Sequence, residues 1–69
     1  MKTELLIIRA GADYIRVKDD GFNRCGLEKA SVYPVDQVEK VRGLACELET
    51  QGFEAVVIKK LILTEEAFS

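Results

Sequence analysis

Histidine is missing from the 69 residues, proline occurs once and cysteine twice. Each shortage closes a class of chemistry. Without histidine the commonest general base is gone, and neither serine, Ser31 nor Ser69, stands in a recognisable nucleophile motif. Cys25 and Cys46 lie far apart in the chain and cannot assemble a usual zinc ligand set, so they read as free thiols of a reducing compartment. Gly11, Gly21, Gly26, Gly43 and Gly52 have neither dinucleotide-binding nor phosphate-loop spacing. Asp19-Asp20-Gly21 lacks the longer series of oxygen ligands and the closing glutamate of a calcium loop, and reads as a turn. The expectation is a non-enzymatic chain with no cofactor and no metal. The longest apolar runs, such as Leu5 to Ile8, fall far short of the ~20 residues that cross a bilayer. That run is also too short for the core of an export signal, which leaves the cytoplasm as the expected location and no membrane as partner. A net charge of -2 gives no general attraction for nucleic acid or anionic lipid.

What the chain does have is the balance of a folded domain, 48% hydrophobic and 32% charged. One domain over residues 1–69 is the expectation. A core of that size rarely supplies more than about 3–5 kcal/mol of net stability, so a partner subunit is a natural supplement.

Pro34 to Gln51 reads as the single long helix. Val38, Val41, Leu44, Ala45 and Leu48 recur at steps of three and four, a stripe roughly 120° wide. Pro34 suits a first turn and drives Tyr33 into an extended conformation. Asp36 and Glu39 have capping-box spacing, and Gly52 can turn left-handed past the end.

The rest is β-like. Residues 3–9 form an apolar run and residues 14–18 alternate with period two, joined by a turn centred on Gly11-Ala12. That register sets Arg9 opposite Tyr14, Ile7 opposite Arg16 and Leu5 opposite Lys18. Leu6, Ile8, Ile15 and Val17 then share one purely apolar face, the one for the helix to cover. Phe22 to Cys25 suits a short third strand, and Leu27 to Ala30 a single helical turn. Residues 53–64 make the last strand, apolar on both parities, and residues 64–69 a frayed tail in which Phe68 can fold back. The order β-β-(β)-α-β predicts an α+β two-layer sandwich, an antiparallel sheet of three to four strands under one helix. The first strand should lie in the middle, with the last strand antiparallel beside it.

The runs LLIIRAGADYIRV, KASVYPVDQVEKVRGLACEL and VVIKKLILTEE together resemble small uncharacterised bacterial and phage proteins of ββαβ type. The resemblance implies the same hairpin, amphipathic helix and closing strand. It implies no activity and no site residue.

Two surfaces follow from the register. Leu5 and Ile7 point away from the helix, and the last strand adds either Val57, Leu61 and Leu63 or Val56, Ile58 and Ile62. Monomers seldom expose such a patch without use. An interaction module acting through its sheet face is therefore expected, as a homodimer or with another protein, unless the chain's own 22–33 segment covers the patch. The expected contact residues are Leu5, Ile7, Leu61 and Leu63, rimmed by Arg9, Tyr14, Arg16 and Lys18. The same Arg9, Tyr14, Arg16 and Lys18, extended by Arg24, offer an alternative: a face that stacks and neutralises single-stranded nucleic acid.

Overall fold

The first turn sets the sheet. In the computed structural model, which describes residues 2–64, β1 (Lys2–Ala10) and β2 (Asp13–Lys18) flank the loop Gly11-Ala12, with Ala10 paired to Asp13 and Arg9 to Tyr14. Gly11 has φ +63° at the first loop position, where the tight turns matching strand twist need a left-handed residue. A second tight turn leads into β3 (Gly21–Cys25), which pairs with β2 along its length. The chain then makes a single 3-10 turn over Leu27–Lys29 and a two-residue strand, β4 (Tyr33–Pro34). A second 3-10 turn, Val35–Gln37, precedes α1 (Val38–Thr50), and β5 (Val56–Thr64) closes the fold. The tail expected at 64–69, with Phe68, lies outside the described residues from 65 onward; Thr64 ends β5.

Over the described residues the architecture is an α+β fold: one helix packed on one antiparallel sheet of five strands. β1 is central, paired to β5 from Lys2–Thr64 to Ala10–Val56. Its other edge is shared, and here the hairpin register fails. Beyond Tyr14 the β1–β2 ladder stops, and β1 takes β4 instead, Leu5 opposite Pro34 and Leu6 opposite Tyr33. The expected pairs Ile7–Arg16 and Leu5–Lys18 do not form. The Ser31 amide donates to the Ile15 carbonyl, and the Val17 amide donates to the Ser31 hydroxyl at 2.8 Å. The segment before the helix thus enters between β1 and β2 and satisfies groups that the parting strands would leave bare. Ser31→Ala removes the acceptor of a part-buried amide and is expected to cost about 1–3 kcal/mol, read as a lower urea midpoint.

The helix begins later than its sequence pattern suggests. Pro34 is extended (φ -61°, ψ 151°), as β4 requires, and the expected first turn is 3-10 rather than α. The capping box does not form: the N-cap residue is Gln37, whose side chain makes no cap bond, and Glu39 pairs forward with Arg42 at 3.2 Å. The other end is as expected. Gly52 has φ +100°, its amide bonds to the Glu49 carbonyl and the Phe53 amide to the Leu48 carbonyl, the paired bonds of a Schellman stop. Val41, Ala45 and Leu48 are buried on the inner stripe, and Leu6, Ile8, Ala10 and Ile15 face them from the sheet. Val17, Val38, Phe22, Tyr33 and Ile58 surround this centre, half-buried. Phe53 closes one end, edge to face with Phe22 at 6.3 Å. Cys25 and Cys46 are both free, Cys25 on β3 and Cys46 on the exposed side of the helix.

Candidate functional site

Side chains directly opposite in an antiparallel pair share a face. The β1–β5 register therefore resolves the two-parity ambiguity of the last strand. Val56, Ile58, Lys60 and Ile62 lie on the helix side, level with Ala10, Ile8, Leu6 and Glu4. Val57, Lys59, Leu61 and Leu63 lie on the far side with Arg9, Ile7, Leu5 and Thr3. Tyr14, Arg16 and Lys18 join that far side through the Arg9–Tyr14 pair. All eight expected contact residues (Leu5, Ile7, Arg9, Tyr14, Arg16, Lys18, Leu61 and Leu63) thus occupy the face without the helix.

They are not equally available. Val57 and Leu63 are 44% and 48% exposed, whereas Leu5, Tyr14 and Leu61 are half-buried. Ile7 is only 3% exposed, so it is the floor of the face rather than a contact. It lies opposite Lys59 at mid-strand, between β5 and the side of β1 that the 31–34 segment occupies. The middle segment lies beside β1 in the plane of the sheet and leaves the β5 half of the patch open. The sequence offers Val57 and Ile62 as alternatives for that face, since the last strand is apolar on both parities, and only the register tells which face each one serves.

The basic surface is divided. The Arg9 guanidinium lies 5.9 Å from the Tyr14 ring centre, and its Nε donates to the Gly11 carbonyl at 2.8 Å. The one aromatic ring that the described strands β1, β2 and β5 place on the face is thereby partnered internally. Arg24 pairs in register with Ile15, which puts it on the helix side. There it stacks on Phe53 at 4.7 Å and approaches Asp13 at 3.7 Å, so it does not extend the basic face.

A third feature is the far end of the β1–β5 ribbon. Thirteen helical residues span about 20 Å, whereas nine strand residues span about 30 Å. Among the described residues Thr3 and Glu4 pair with Leu63 and Ile62 alone, and Ile62, on the helix side, is 48% exposed. The ribbon end thus projects past the helix, with apolar groups on both faces. Lys60 reaches Glu4 at 3.8 Å across this end.

Among the described residues no pocket opens, and no three cysteine or carboxylate side chains converge. No described helix is long and apolar enough to cross a membrane. No family model, no curated protein and no solved structure matches the chain.

Proposed function

We propose that this chain is a small non-enzymatic interaction module that works through its β1–β5 ribbon, in the cytoplasm, where Cys25 and Cys46 stay reduced. The observation that carries the reading is the pairing of apolar exposure with missing cover on β5. Leu61 and Leu63 share the helix-free face with Leu5 and Val57, and the ribbon end beyond the helix bears Ile62 on its other side. Protein association buries such groups and supplements the small core of so short a chain. The internal stacking of Arg9 on Tyr14 and the turning of Arg24 to the helix side favour a protein partner over nucleic acid.

Sedimentation across a concentration series tests the proposal. The wild-type chain is expected to associate at high micromolar concentration, and Leu63→Lys to stay folded but remain monomeric with at least a tenfold weaker association. Leu63 is half-exposed, so the substitution leaves the core alone. Binding of a single-stranded oligonucleotide at low salt by a monomeric wild-type protein would replace this reading with the nucleic-acid one.

A further inference from the structure

Resting on that reading of the ribbon, we infer that the partner is a second copy of the chain, added edge to edge along β5 and centred on Ile62. The outer edge of β5 has no partner strand among the described residues. Which groups it offers follows from one bond. The Gly11 amide donates to the Ala55 carbonyl, so the odd-numbered positions of β1 aim their main-chain groups at β5 and are met by Val57, Lys59, Leu61 and Leu63. The alternating positions Lys60, Ile62 and Thr64 therefore aim their amides and carbonyls outward, away from the molecule.

Self-pairing about a two-fold axis normal to the sheet keeps each face on its own side, so the centre must fall on a residue. The side chains then choose among centres. Centring on Lys59 or Lys60 places a lysine opposite its own copy, a like-charge pair. Centring on Ile58 sets Val57 opposite Lys59 and Val56 opposite Lys60, and centring on Leu61 sets Lys60 opposite Ile62 and Lys59 opposite Leu63. Centring on Val57 or Leu63 leaves a ladder of only three residues, and centring on Val56 or Thr64 a shorter one still. Centring on Ile62 gives Ile62 opposite Ile62, Leu61 opposite Leu63 twice, and Lys60 opposite Thr64. Every apolar group meets an apolar group, and no lysine faces another.

That register brings the last three outward-facing residues of each copy, Lys60, Ile62 and Thr64, together in about six main-chain hydrogen bonds, two per facing pair. Leu61 and Leu63, on the helix-free face, are covered laterally by the same residues of the other copy. The helices do not collide, because the ribbon end projects past α1 and Ile62 is open on the helix side. Lys59 and Lys60, at the middle of β5, limit the pairing to its final segment and discourage growth along the full strand. The two-fold axis joins both free β5 edges and closes the assembly at two chains.

The test combines mass and amide exchange. In wild-type protein at high concentration, the Ile62 and Thr64 amides are expected to exchange at least tenfold more slowly than on dilution, with twice the chain mass by light scattering. Ile62→Pro removes an outward donor and leaves the β1–β5 bonds intact, so it should be folded and monomeric. A dimeric Ile62→Pro, or Ile62 and Thr64 amides that ignore concentration while wild type dimerises, would overturn the edge geometry. The ribbon reading then still stands if Leu63→Lys dissociates that dimer. A wild-type chain that is monomeric throughout overturns the self-pairing. The exchange measurement on wild type decides the matter even if the proline variant does not fold.

Discussion

Leu48→Ala is expected to lower the unfolding free energy by about 2–5 kcal/mol, as much as a chain of this size is expected to hold in total. Leu48 is fully buried on the inner stripe of α1, among the largest buried side chains together with Ile8, Ile15 and Val41. Its carbonyl accepts the Phe53 amide in the helix stop, and alanine keeps that bond and the helical backbone. The loss therefore measures side-chain packing alone: the transfer of the leucine body and the cavity it leaves between helix and sheet. Urea unfolding followed by far-ultraviolet circular dichroism checks it. The variant should be largely unfolded before denaturant is added, or should show a midpoint far below wild type. An unchanged midpoint would mean that Leu48 does not face the sheet.

Ile7→Lys is the second large effect, and its sign differs from what the sequence suggests. Read from the hairpin pattern, Ile7 is a surface contact whose replacement would abolish association and spare the fold. At 3% exposure it is a core side chain on the other face of the sheet. Losing a buried isoleucine costs about 1.5–3 kcal/mol in transfer free energy alone. The ammonium group must in addition reach water past Leu5, Arg9 and Lys59, and it arrives beside cations at two of those positions. A destabilisation of about 3 kcal/mol or more is expected, measured as a reduced unfolding midpoint in dilute, monomeric protein. Leu63 is 48% exposed, so Leu63→Lys should leave the stability within about 0.5 kcal/mol of wild type. The contrast between the two lysines separates the floor of the face from its contact surface.

The division between sequence and tertiary structure runs through these same residues. Local patterning determined the helix, because Val38, Val41, Ala45 and Leu48 sit at helical spacing and Gly52 stops it. It determined the first turn, where Gly11 supplies the left-handed residue, and the apolar face of Leu6, Ile8 and Ile15, where period-two alternation admits one register at the loop. The central place of β1 and the antiparallel β5 followed from chain order and apolarity. Three things were decided only by packing. The helix gave up its first turn to a 3-10 turn because β4 holds Tyr33 and Pro34 extended against β1. β2 parted from β1 beyond Tyr14 because β4 and the Ser31 hydroxyl offer the two strands their hydrogen bonds from a distant part of the chain. The face of each β5 residue was undetermined locally, since Val56-Val57-Ile58 and Leu61-Ile62-Leu63 are apolar on both parities and a one-residue slip leaves either face equally apolar. Pairing with β1 over nine positions settles it, and with it the burial of Ile7 and the exposure of Ile62 and Leu63.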